Sequence, residues 1–138
     1  MATNSVMALG EATQPSKTLN IVLWFLQILA AATFLLAGGL KLAGIEPMVA
    51  LFEQIGLGQW FRYFTGGLEV ICAILLLIPT TVAIGGLLLA VTMVGAIATH
   101  LFIVGGSAVP SIVLLVMVAT VAWYRWPALI TDRTGYLR

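Results

Sequence analysis

Four apolar stretches, each long enough to cross a lipid bilayer, occupy most of the 138-residue sequence. They lie at residues 20–41, 60–79, 82–104 and 109–126. A helix of about 20 residues spans the hydrocarbon of a bilayer, and a helix keeps its backbone hydrogen bonds within the segment. The sequence therefore predicts an all-α membrane protein, built as a four-transmembrane-helix bundle.

The composition supports this fold class and excludes several others. The chain is 62% hydrophobic and 8% charged, whereas soluble globular domains have roughly 45–50% apolar and 25% charged residues. The four stretches leave no room for a soluble catalytic domain. A net charge of +1 provides no basic surface for nucleic acid. The single cysteine, Cys72, excludes an intramolecular disulfide and a CxxC redox pair.

The sequence divides into a membrane domain and two polar tails. We expect residues 20–126 to form the transmembrane domain, with an N-terminal tail at residues 1–19 and a C-terminal tail at residues 127–138. The N-terminal tail lacks the charged, apolar, then small-residue order of a cleaved signal peptide. The first apolar stretch is therefore expected to remain as a membrane anchor.

The connection between the first and second stretches predicts a short interfacial helix. Residues 42–59 are too short and too charged to span a membrane. Within them PMVALFEQI, residues 47–55, places apolar side chains at helical spacing opposite Glu53 and Gln54. Such an amphipathic segment lies in the plane of the membrane surface. Gly56, directly after this segment, is a typical helix stop.

Basic residues near the ends of the spans predict the orientation, because they are retained on the cytoplasmic side. Four spans place both termini and the turn at Pro79 on one side. That side holds Lys17, Arg125, Arg133 and Arg138, and the other side holds Lys41 and Arg62. We therefore expect both termini to be cytoplasmic.

Glu69 is a carboxylate well inside the second apolar stretch. A charge in hydrocarbon costs several kcal/mol, by estimates that vary widely, so such a residue must face protein or water and find a partner. On a helix, its face also carries Gly66, Cys72 and Ala73. Small residues of this kind let neighbouring membrane helices approach closely. Glu69 is therefore expected on a packed surface between helices.

Three ionisable residues on three different spans are expected to converge. Lys41 closes the first span, Glu69 lies in the second and His100 lies late in the third, all at comparable depth. Helical side chains lean towards the N-terminus of their own helix, which brings the three polar groups together. The residues expected to line a pocket beside them are Gly66, Met93, Ala96 and Phe64.

Two interpretations of this polar cluster stay open. In the first, Lys41 and Glu69 neutralise one another, His100 satisfies a hydrogen bond, and the cluster only fixes the helix packing. In the second, the cluster binds a ligand, because a carboxylate and an imidazole can exchange protons with a bound molecule. The sequence has no metal-ligand set, nucleotide loop or nucleophile–base pair, so it assigns no catalytic residue, no metal site and no enzymatic activity of its own.

Four runs of residues together carry a resemblance to known proteins: GGLKLAG (38–44), LFEQIGLGQW (51–60), YFTGGLEVICAILLLIP (63–79) and MVGAIATH (93–100). In this order they resemble the DoxX-like family of small four-helix membrane proteins. The resemblance covers about half of the chain, from Phe34 to Ser107. It implies a four-helix bundle in a bacterial or archaeal cell membrane, with Lys41, Glu69 and His100 at the matching positions.

The resemblance also implies a function, since the family takes its name from a subunit of a quinone-linked oxidase system. It implies a quinone-associated accessory subunit with no built-in cofactor, whose ligand is a quinone bound at Lys41, Glu69 and His100. Its partners would be the lipid bilayer and other membrane redox subunits, and homo-oligomerisation stays open. The alternative is a non-catalytic assembly or binding module, in which the polar cluster is structural.

Overall fold

The computed structural model describes residues 15–134, without the side chains of residues 128 and 131–134. Most of the predicted N-terminal tail and the last four residues therefore lie outside the described part. The helices are α1 (Lys17–Ala43), α2 (Glu46–Ile55), α3 (Gln59–Leu77), α4 (Val82–Thr99) with a π-helical extension (His100–Val104), and α5 (Val109–Thr134). Within these residues there is no strand. Helices α1, α3, α5 and the extended α4 are apolar and long enough to cross a membrane. The predicted all-α bundle with a short helix between spans one and two is confirmed.

Local signals in the sequence explain the ends of α1 and α2. The hydroxyl of Ser16 accepts a hydrogen bond from the backbone N–H of Leu19 at 3.2 Å, which caps the start of α1. Helix α2 has a proline in its first turn, where the missing N–H removes no helical hydrogen bond. Gly44 and Gly56 follow α1 and α2 with φ angles of +67° and +82°, a left-handed conformation that favours glycine.

Helix α5 extends beyond the predicted end of the fourth span. Within the described residues it continues through Pro127 to Thr134. The candidate membrane span ends at Pro127, where the apolar sequence gives way to a polar one. The last part of α5 is therefore a polar extension of a membrane helix.

The long helices pack in two extensive pairs, α1 with α3 and α4 with α5, and α3 packs against α4 to join them. Glycines allow the close approaches. A Cβ atom on Gly85 of α4 would lie 2.9 Å from the carbonyl oxygen of Cys72 on α3, and one on Gly86 would lie 3.1 Å from the Cβ of Ala122 on α5. The largest fully buried apolar side chains are Phe34, Leu23, Leu76, Leu89, Val118 and Val121. The core is thus apolar and runs along the middle of the bundle.

The outside of the bundle is also apolar. Large side chains such as Phe25, Leu36, Val91 and Val116 are each at least 60% exposed. A soluble monomer rarely exposes so much contiguous apolar surface. In a bilayer the same side chains face lipid chains, so this surface fits a protein surrounded by a membrane.

Candidate functional site

Lys41 and Glu69 form a buried ion pair where α1 crosses α3. The ammonium nitrogen of Lys41 lies 2.7 Å from Oε2 and 3.0 Å from Oε1 of Glu69. The side chain of Glu69 is 4% exposed and that of Lys41 is 15% exposed. Both carboxylate oxygens therefore have a charged donor, which offsets the cost of placing them in the membrane.

Two glycines bring the helices close enough for this pair to form. A Cβ atom on Gly38 of α1 would lie 2.7 Å from the carbonyl oxygen of Gly66, and one on Gly66 would lie 2.9 Å from the Cβ of Lys41. Real Cβ atoms do not approach other heavy atoms that closely. Gly66 therefore belongs to the contact between α1 and α3.

Arg62 holds the same end of the bundle together, although it was not among the predicted site residues. It is 4% exposed, and its Nη1 donates a hydrogen bond to the backbone carbonyl of Lys41. Its Nε donates to Oε1 of Gln59 at 2.6 Å, and Gln59 Nε2 donates to the carbonyl of Val49 on α2 at 3.0 Å. The signal in the sequence was its position on the helical face of Glu69. Arg62 thus connects α1, α2 and α3.

His100 lies at the start of the π-helical extension, and it does not join the ion pair. Its Nδ1 lies 3.1 Å from the carbonyl oxygen of Gly105, within the same turn. The extension packs against α4 and α2, and Gln54 of α2 donates to the carbonyl of Val104 at 3.5 Å. Within residues 15–134, no hydrogen bond or ion pair links His100 to Lys41 or Glu69.

The residues expected to line a pocket lie in different environments. Met93 is buried in the apolar core and Ala96 packs against that core. Phe64 is 57% exposed, and its ring stacks on that of Phe61 with 6.4 Å between centroids. Gly66 lies in the contact between α1 and α3, so the four residues are divided between the core, a helix contact and the exposed surface.

A second polar cluster lies at the opposite end of the bundle, which we call the Arg125 end. Arg125 of α5 donates from Nε to Gln27 at 2.9 Å and from Nη1 to Asn20 at 2.8 Å, both on α1. Gln27 is 1% exposed and donates to the carbonyl of Leu76 on α3 at 3.0 Å. In the sequence Arg125 indicates only the orientation, because no local spacing joins it to Gln27. This cluster holds α1, α3 and α5 together.

We call the other end of the bundle, which holds Lys41, Glu69, Arg62 and His100, the Lys41 end. It combines a closed ion pair, a buried guanidinium and a half-buried imidazole. Such groups can donate to, or accept from, a polar ligand that enters from the membrane. A short chain with this site and four apolar helices is a small integral membrane protein of the four-helix class.

Comparison with known proteins assigns the chain to a family within this class. A sequence model described as "DoxX-like family" matches residues 25–124, which is most of the chain. The protein belongs to the DoxX-like family, and the resemblance seen in its motifs is confirmed. Lys41, Glu69 and His100 all lie inside the matched region.

One curated relative is similar over part of its length. The chain is 30% identical over 84 residues to a protein of Bacillus subtilis (strain 168) named "Putative oxidoreductase CatD". The match covers 61% of this chain and 63% of that protein, so the chain spans less than two thirds of the relative. No solved structure matches the chain.

Proposed function

We propose that the protein is a quinone-associated accessory subunit of a membrane redox system, in a bacterial or archaeal cell membrane. Membership of the DoxX-like family and a relative named as an oxidoreductase support a redox association. The observation that carries the proposal is the imidazole of His100, held in a π-helical turn near the end of a membrane span. Such turns are frequent at functional sites. A partner subunit carries the electrons, and this chain binds the headgroup.

The surroundings of His100 suit the ring and tail of a quinone. A site of this kind needs a few placed polar groups, apolar walls and an opening to lipid. Leu101 and Phe102 follow His100 and are 65% and 84% exposed, so they offer apolar surface that faces the membrane. Their exposure also leaves a path for a hydrocarbon tail.

Lys41 and Glu69 contribute to the proposed site as a unit. An ammonium group has three N–H donors, and Lys41 directs two hydrogen bonds to the carboxylate of Glu69. The third N–H is available on a side chain that is 15% exposed. Lys41 can therefore donate to an oxygen of the headgroup while Glu69 compensates its charge.

The second candidate function is an assembly module without a ligand. The observation that favours it is the closed Lys41–Glu69 pair beside the Gly38–Gly66 contact. A pair of this kind can serve packing alone, since both oxygens of Glu69 already have a donor. The exposed face of α5 would then bind the partner.

Quinone binding separates these two functions. We expect His100→Ala to weaken binding of a short-tailed quinone, measured in both its oxidised and its reduced form. The loss should be about tenfold for the form that hydrogen-bonds to the imidazole, because the substitution removes a hydrogen bond worth roughly 1 kcal/mol and the ring's contact area. Titration of the purified protein, followed by tryptophan fluorescence, measures the dissociation constant. Val116→Ala, on the exposed face of α5, is the matched control and should leave binding unchanged. If the folded wild-type protein binds neither the quinone nor the hydroquinone, the assembly function replaces the redox one.

The proposed orientation places both termini in the cytoplasm and α2 on the outside. Single cysteines at Ser16 and Gln54, both exposed, test it in a Cys72→Ala background. A thiol reagent that does not cross membranes should label Gln54→Cys in intact cells and Ser16→Cys only after the cells are opened. Labelling in the reverse pattern would show that the chain is inserted the other way.

A further inference from the structure

We propose that the His100 site recognises the reduced form of its ligand, a hydroquinone, because Nε2 of His100 presents a lone pair to accept a hydrogen bond from a ring hydroxyl. This inference rests on the proposed function and specifies which redox form binds. The inference follows from the hydrogen bond between the imidazole of His100 and the carbonyl of Gly105.

The carbonyl of Gly105 fixes the tautomer of His100. It lies 3.1 Å from Nδ1, and a carbonyl oxygen can only accept a hydrogen bond. Nδ1 must therefore carry the proton. A neutral imidazole has one N–H, so Nε2 is left as an acceptor.

The backbone of Gly105 also helps to hold the imidazole of His100 in this arrangement. The N–H of Gly105 donates to the carbonyl of His100 at 2.9 Å, so the two residues are joined by a backbone and a side-chain hydrogen bond. Gly105 has φ +74° and ψ −164°, a conformation that residues with a side chain rarely adopt. Glycine at this position thus orients the carbonyl that selects the tautomer.

Nε2 is also accessible. Within the described part of the chain it has no hydrogen-bond partner, and the one buried side-chain polar atom left unpaired there is Nη2 of Arg125. Since Nε2 of His100 is unpaired and is not one of the buried atoms, it must lie at the surface of this half-buried residue. It is thus placed to meet a ligand that enters from the membrane.

The two redox forms of a quinone differ at the atom that would meet Nε2. A quinone carbonyl carries only lone pairs and makes no hydrogen bond with the lone pair of Nε2. A hydroquinone hydroxyl donates one. The third N–H of Lys41 can donate to an oxygen of either form, so it adds affinity without discrimination. His100 is therefore the residue that distinguishes the two forms.

The chain has a single histidine, so its imidazole can be observed directly. Protein with a histidine-free purification tag, labelled with ¹⁵N in the imidazole, should show a protonated Nδ1 and an unprotonated Nε2 at about pH 8, where an imidazole is ordinarily neutral. Under anaerobic conditions, a short-tailed hydroquinone should shift the Nε2 signal and bind about tenfold more tightly than the matching quinone. The matching quinone should leave that signal nearly unchanged.

Glycine variants provide the positioning test. Gly105→Ala should change the Nδ1 signal and reduce the preference for hydroquinone, because alanine is strained at this φ angle. Gly95→Ala is the control, since a Cβ atom there meets no heavy atom within 4 Å. A proton on Nε2, or a quinone that binds as tightly as the hydroquinone, would overturn this inference and leave the proposed function standing. If neither form binds, both are overturned.

Discussion

Lys41→Met is expected to lower the free energy of unfolding by about 3–5 kcal/mol, because it leaves the carboxylate of Glu69 buried without its partner. That carboxylate is 4% exposed, and Lys41 supplies both of its hydrogen bonds. Glu69→Gln should also be destabilising, because it removes the negative charge that compensates Lys41. Unfolding in mixed detergent, followed by circular dichroism, measures each difference.

The double variant decides whether the two side chains act as a pair. Lys41→Met combined with Glu69→Gln removes both charges, so we expect it to be more stable than the sum of the single losses predicts, by roughly 1–3 kcal/mol. Lys17→Met is the matched control, since Lys17 is exposed at the start of α1 and its removal should have little effect. Strictly additive losses would contradict direct pairing.

Gly38→Ala is expected to destabilise the bundle by about 1–3 kcal/mol, because the new methyl group cannot fit between α1 and α3. Its Cβ atom would lie 2.7 Å from the carbonyl oxygen of Gly66, which is backbone and cannot move aside alone. Gly66→Ala should have a similar effect, since its Cβ atom would meet the Cβ of Lys41 at 2.9 Å. Both variants should also lengthen the Lys41–Glu69 contact.

Neighbouring glycines offer an unusually close control for this experiment. Gly39 and Gly67 lie beside the two critical positions, and a Cβ atom at either one meets no heavy atom within 4 Å. Alanine there should be neutral or stabilise by up to about 1 kcal/mol, because alanine favours a helix more than glycine does. Equal losses at Gly38 and Gly39 would show that helix contact is not the cause.

Much of the fold could be predicted because the relevant signals are local. Long apolar stretches define the membrane helices, and Gly56 marks the end of α2 in both the sequence and the structure. The contact of Lys41 with Glu69 also follows from simple geometry, since depth and the lean of helical side chains bring the two heads together. Both residues lie in regular helices, where the position of a residue in the sequence determines the face of the helix on which it lies.

The part of the site that could not be predicted depends on irregular geometry and long-range packing. His100 begins a π-helical segment, and its ring bonds to Gly105, so a regular helical count no longer gives its direction. Arg125 meets Gln27 across 98 positions of sequence, which requires knowing that α5 packs against α1. Charge and spacing along one helix carry no information on that contact.

The two polar clusters also have a mechanical consequence for α1. Arg62 and Glu69 hold this helix near Lys41, while Arg125 and the carbonyl of Leu76 hold it at Gln27. Because α1 is held near both ends, it can neither shift along its axis nor rotate about it without breaking several hydrogen bonds at once. Together with α3 it forms the rigid part of the bundle. Movement should begin in the second half of α4 and its π-helical extension, where side chains such as those of Val94 and Phe102 are exposed and not packed against other helices.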